Sequence, residues 1–179
     1  MLFRGRQPET SVWRRFRSGA DDFTFAQEGE HFEARVVANA ERVVDLFHAL
    51  AEHLPPAVDV AIEDVREHRA WVGSGAALPD VREAIARLKA PLAAYGGVEL
   101  AVYSGEDQLT LTPDLELYIY ARTDRWLYIL QGKGLHEVTQ FEAAGWEFDA
   151  DALGAAPELS DAVAAAAERL GLEARSDAS

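Results

Sequence analysis

The chain reads as an α+β protein, a mainly antiparallel β-sheet packed against two amphipathic helices with an additional C-terminal helix. Three observations predict this. Val58, Val60 and Ile62 alternate with polar or small neighbours, as do Val98, Leu100 and Val102 and then Leu115, Leu117, Ile119 and Ala121; that period of two belongs to a strand with one buried face. Elsewhere the apolar residues recur at three-and-four spacing, the stripe of an amphipathic helix. The order, α-β-β-α-β-β-β followed by a final helix, lacks the strict alternation of a parallel α/β sheet.

Phe23 and Phe25 mark a short strand over about 23–26. Over about 34–54, Val36, Val37, Ala40, Val43, Val44, Phe47, Leu50, Ala51 and Leu54 describe one helical stripe, which Pro55 and Pro56 end. The opposite face carries Glu41, Arg42, Asp45, His48, Glu52 and His53 and needs only water. After the strand at Val58 to Ile62, the polar run Arg66 to Arg69 predicts a turn, and Ala70 to Gly73 a second short strand. Pro79 and Asp80 suit a helix's first turn, Val81, Ala84, Ile85, Leu88 and Leu92 supply its buried stripe, and Gly96-Gly97 marks its exit.

The next third reads as sheet. Ser104 to Asp107 turns the chain toward Leu109 and Leu111, and Pro113-Asp114 separates that strand from Leu115 to Arg122. A tight connection at Thr123-Asp124 would then make a hairpin, pairing Ala121 with Trp126, Ile119 with Tyr128 and Leu117 with Leu130. It would also set Arg122 opposite Arg125, an unfavourable cross-strand pair. A short strand at Trp146 to Phe148 and an alanine-rich helix from Pro157, with Leu159, Val163, Ala166 and Leu170 on one side, complete the chain. The organisation expected is a basic leader over 1–20, one α+β domain over 21–174 and a frayed end over 175–179.

Composition narrows the function. The 179 residues are 49% hydrophobic and include no cysteine, which excludes disulfides, a thiol nucleophile and cysteine-ligated metal. That choice fits a reducing, cytoplasmic setting. A formal net charge of −14 argues against nucleic acid and anionic membrane as partners. Neither a signal-peptide h-region nor an apolar run long enough to span a bilayer is visible. The charge is uneven, because residues 1–19 hold five Arg and one Glu. This leader is suited to clamp onto the acidic body of its own or a neighbouring chain.

No chemical motif is complete. Gly132-Lys133-Gly134 lacks the glycine spacing and the Ser or Thr that a phosphate-cradling loop places after its lysine, so it reads as a bend. Glu30-His31, Glu52-His53, Glu67-His68 and His136-Glu137 are adjacent pairs, and sequence neighbours point in different directions on a strand or helix. Asp64 and His68 would share a face only within a helical turn, and HExxH, GxSxG and GxGxxG are absent. No metal or other cofactor is therefore expected. The remaining candidate surface is aromatic: Tyr118, Tyr120 and Arg122 with Arg125, Trp126, Tyr128 and Lys133, an apolar centre with a charged edge. The leading expectation is a small, soluble, non-enzymatic interaction or regulatory protein with a protein partner or a homodimer. The alternative is a hydrolase or small-molecule enzyme using dispersed Asp, Glu and His.

Overall fold

The computed structural model describes residues 21–141 and 149–175. The expected strand at Trp146 to Phe148 and the leader lie outside these residues. The fold is α+β, and the described strands form one mainly antiparallel sheet.

β1 (Asp22–Glu28) and β2 (His31–Val37) form a hairpin. Gly29, at φ 64°, takes the first position of its two-residue turn, where a positive φ is needed. Asn39 then caps α1 (Ala40–Leu50) by accepting the backbone N–H of Arg42 at 2.9 Å. A 3-10 turn over Ala51–His53 extends the helix toward Pro55. The predicted helical start at Ala34 is thus corrected: Ala34 to Val37 belong to β2. Phe32, Ala34 and Val36 alternate with Glu33 and Arg35, so the segment satisfies a strand's period before the helix begins.

β3 (Ala57–Asp64) and β4 (Arg69–Ala77) flank the predicted turn, where buried Asp64 accepts the backbone N–H groups of Arg66 and Glu67 at 3.1 and 3.3 Å. α2 (Leu78–Tyr95) begins with Pro79 in its first turn and stops at Gly96 and Gly97, with φ 57° and 77°. β5 (Val98–Tyr103), β6 (Asp107–Leu111) and β7 (Leu117–Ala121) follow as an antiparallel meander. The chain continues through α3 (Arg125–Gly132), β8 (His136–Glu137), α4 (Pro157–Arg169) and β9 (Glu173–Ala174). Arg175, expected to fray, donates its backbone N–H to Ala70 O at 2.8 Å.

The strand order is β8-β1-β2-β7-β6-β5-β3-β4-β9, and only the two-residue contact of β1 with β8 is parallel. α1 packs on α2 and α2 on α4, and these helices cover one face of the sheet. Val36, Ile62, Leu100, Val102, Leu109, Leu117 and Ile119 point into that layer and meet Phe47, Leu50, Ile85 and Leu88. All are essentially excluded from water.

The predicted hairpin after β7 does not form. β7 already pairs with β2 on one edge and β6 on the other, so no edge is free for a strand from Trp126 to Leu130. That stretch instead winds into α3, where Trp126 and Leu130, four residues apart, share one face and are both fully buried. Gly132-Lys133-Gly134 ends this helix. Gly134, at φ 84°, donates to Gln131 O, and Leu135 donates to Leu130 O, the paired bonds of a Schellman cap, with Leu135 buried beside them.

Candidate functional site

A strand's alternation sends every second side chain away from the helices, and across the centre of the sheet these residues meet in register. One row runs Glu33, Tyr120, Gln108, Tyr103 and Asp59 over β2, β7, β6, β5 and β3. The next runs Arg35, Tyr118, Thr110, Ala101 and Ala61, continuing to Val72 on β4. None of the apolar side chains among them belongs to the hydrophobic core cluster, although Thr110 and Ala101 are buried. The face therefore has a tyrosine and small-residue centre, bordered by carboxylates.

Tyr118 and Tyr120 project from the same side of β7, and their rings stack at 6.4 Å between centroids, 13° from parallel. Tyr120 is 42% exposed, one of only two large hydrophobic side chains so open among the described residues. Partial burial raises both phenol pKa values; nearby Glu33 and Glu99 add to the shift of Tyr120, while Arg35 opposes that of Tyr118. Both phenols remain neutral donors at physiological pH. Gln108 donates to Thr110 Oγ1 at 2.9 Å, holding the β6 side chains beside the rings.

Arg35 fixes one border. Its guanidinium grips Glu116 through two bonds, at 2.6 and 2.8 Å, and lies 5.8 Å from the Tyr118 ring centroid and 5.0 Å from that of Phe141. The fork-to-carboxylate geometry makes this the best-formed ion pair of the face. The other border differs among the described residues. Glu63 and Glu99 stand directly opposite each other on β3 and β5, and among the described residues no cation pairs with either. Burial and the charge of Glu63 push the Glu99 carboxyl above its usual range. Like charges in this arrangement oppose strand pairing.

The predicted site residues divide. Tyr118 and Tyr120 come together on the face opposite α1, α2 and α4, and Arg122 is exposed just beyond the end of β7. The other four lie on α3 or its cap and do not join them. Trp126 is sealed in the core, and its buried Nε1 has no hydrogen-bond partner. Tyr128 is 63% exposed on the outer side of α3. Lys133 approaches Glu52 at 3.9 Å, while its carbonyl accepts from Arg42 at 3.0 Å. Arg125 pairs with buried Asp107 and donates to His53 O at 3.1 Å. Tyr103, Gln108, Thr110, Glu33, Arg35, Glu63 and Glu99 were absent from the predicted surface, although the same alternation that buried their neighbours marks them as outward-facing.

A concavity of about 430 Å³ opens elsewhere, where His53, Ser104, Glu106, Asp107, Thr123 and Arg125 converge. Ser104 Oγ there accepts the backbone N–H groups of Glu106 and Asp107 at 3.3 and 3.2 Å, and so serves the turn. Among the described residues no group of three or more His, Asp or Glu is placed to hold a metal ion, and no helix is long and apolar enough to cross a membrane. Comparison with protein-family models, curated proteins and solved structures finds no match to this chain.

Proposed function

We propose that this chain is a non-enzymatic interaction protein that docks a basic, aromatic-bearing polypeptide on the face of its sheet opposite α1, α2 and α4. The observation that carries this reading is the stacked Tyr118–Tyr120 pair beside Tyr103, Gln108 and Thr110, with Glu33, Asp59, Glu63 and Glu99 around it. Tyrosines combine large apolar area with a polar tip and lose little side-chain entropy on contact, which suits them to recognition. The carboxylates select a cationic partner and steer its approach. A symmetric dimer through this face would bring two acidic borders together, so a basic partner fits better than a second copy of the same surface. The absence of cysteine supports a reducing, cytoplasmic setting.

Panning random peptides of about twelve residues against the full-length chain tests this. Enrichment of sequences combining Arg with Trp, Tyr or Phe is expected, with the affinity of enriched peptides falling about tenfold or more in Tyr120→Ala and in the Glu63→Lys, Glu99→Lys chain. Peptides that bind these variants as well as the parent would refute the assignment.

The second reading, a small-molecule enzyme, draws on the convergence of His53, Glu106, Asp107 and Arg125 around the cleft. It predicts that small polar metabolites protect the cleft's backbone amides from hydrogen exchange in a manner abolished by His53→Ala. Protection unaffected by that substitution, or none, would remove it.

A further inference from the structure

We propose that the cleft beside the start of α3 binds a small zwitterion of the α-amino acid class, with the ligand's carboxylate at Arg125 and its ammonium at Asp107 and Glu106. This goes beyond the docking function, since it uses a different part of the molecule, and it requires no reaction at the cleft.

The walls come from connections that the topology brings to one end of the sheet. His53, Leu54 and Pro55 lead from α1 toward β3, Ser104 to Asp107 join β5 to β6, and Thr123 and Arg125 lead from β7 into α3. The registers Asp59–Tyr103 and Asp107–Ala121 set these segments side by side.

The walls are tied to one another. Arg125 Nη2 donates both to Asp107 Oδ2 and to His53 O, so a single guanidinium joins all the connections. It lies 5.1 Å from the ring centroid of fully buried Trp126, against which the His53 ring packs edge-on at 5.9 Å. Across the cleft, Ser104 donates its backbone N–H to Asp107 O at 2.9 Å and closes the β5–β6 turn. A cleft of about 430 Å³ lies within the range of small-molecule pockets, and walls braced in this way leave little for a ligand to order.

Charge selects the ligand. Buried Asp107 and the Arg125 guanidinium are bonded neighbours on the wall, and exposed Glu106 adds a second carboxylate beside them. Nη2 serves Asp107 and His53 O, while Nε and Nη1 carry the remaining donors of the guanidinium, which a ligand carboxylate would meet. A purely anionic ligand such as a diphosphate would face Asp107 and Glu106 with like charge, and a purely cationic one would face Arg125 in the same way. An α-amino acid carries both charges on one carbon, matching the adjacent charges of the wall. Leu54 and Pro55 line the same cleft and offer apolar contact to its side chain.

Amide chemical-shift titration of the labelled full-length chain with L-leucine tests this. Saturable shifts are expected at 53–54, 104–107 and 123–125. Affinity should fall about tenfold or more for N-acetyl-L-leucine, which lacks the ammonium, for L-leucinamide, which lacks the carboxylate, and for γ-aminobutyrate, whose charges are far apart. Glu106→Lys, at an exposed position that the fold does not need, should weaken L-leucine by a similar factor. No saturable shift with L-leucine would overturn the proposal, as would equal affinity for L-leucine and any of the three other probes. The tyrosine surface takes no part, so L-leucine should bind Tyr120→Ala unchanged; shifts that vanish in that chain would place the site on the sheet face and overturn the proposal. Peptide docking that fails while L-leucine still shifts the cleft would refute the docking function alone. Binding kept in His53→Ala, expected because His53 holds Arg125 through its carbonyl, would remove the enzymatic reading and leave this one.

Discussion

Leu117, Ile119 and Ala121 on β7 are sealed beneath the helices, whereas Tyr118 and Tyr120, interleaved with them, stand on the opposite face, with Tyr120 42% exposed. The same division runs through β5 and β6, where Leu100, Val102, Leu109 and Leu111 enter the core while Glu99, Tyr103, Gln108 and Thr110 do not. Both sets share one backbone and one register. The difference teaches that the core and the proposed recognition surface occupy alternate residues of the same strands, so each can be altered with little direct cost to the other.

The largest expected effect lies on the covered side. Trp126→Ala empties a fully buried site under α3 and should destabilise the fold by about 4 kcal/mol in urea unfolding. A loss below about 1 kcal/mol would mean that α3 is not integral to the core.

Arg66 joins the sheet to the end of the helical layer. Its guanidinium donates to Tyr95 O at 2.6 Å and Gly154 O at 2.8 Å, and also bonds Gly96 O. Arg66→Ala should therefore cost about 2 kcal/mol by leaving these carbonyls unpaired. Arg66→Lys should recover less than half, because a single ammonium cannot reproduce the planar fork; full recovery in the same unfolding assay would contradict this reading.

On the opposite face, Arg35→Ala should cost about 1 kcal/mol, since its bidentate pair with Glu116 is only partly shielded from water. Tyr120→Ala should change stability by less than about 0.5 kcal/mol while weakening peptide binding. A change comparable to that of Trp126→Ala would show that the two faces are not separable.

The smallest effect is one of pH. Burial, followed by the charges of Arg82 and Lys89, lowers the pKa of His48 below its usual 6.5. The folded protein therefore favours neutral His48, and this contribution is present above the unfolded pKa and lost as pH falls through the folded one. Chemical unfolding at several pH values should show His48→Gln flattening the decline below about pH 6.5. An unchanged slope would remove His48 from the acid response.

Most of the sheet was legible because its strands alternate clearly and its helices are marked by proline and glycine. Two segments were not. Phe32 to Val37 runs into the apolar stripe of α1, and merging the two hid β2; the Asn39 cap was the local sign of the boundary. The apolar, aromatic run from Trp126 to Leu130 fits a strand locally, but both edges of β7 are occupied, and that fact belongs to the sheet order rather than to the segment. The candidate surface was legible through Tyr118 and Tyr120 alone. Its other polar and charged members come from four further strands, β2, β3, β5 and β6, and only the register brings them onto one face.

Amide chemical-shift mapping on the labelled full-length chain would test the central claim most directly, using a synthetic peptide of about twelve residues rich in Arg and Trp. The account predicts saturable shifts concentrated at 99–103, 108–110 and 118–120, and their loss in the Tyr118→Ala, Tyr120→Ala chain. Shifts centred instead on the cleft at 53–55 and 104–107, or no saturable shifts, would contradict it.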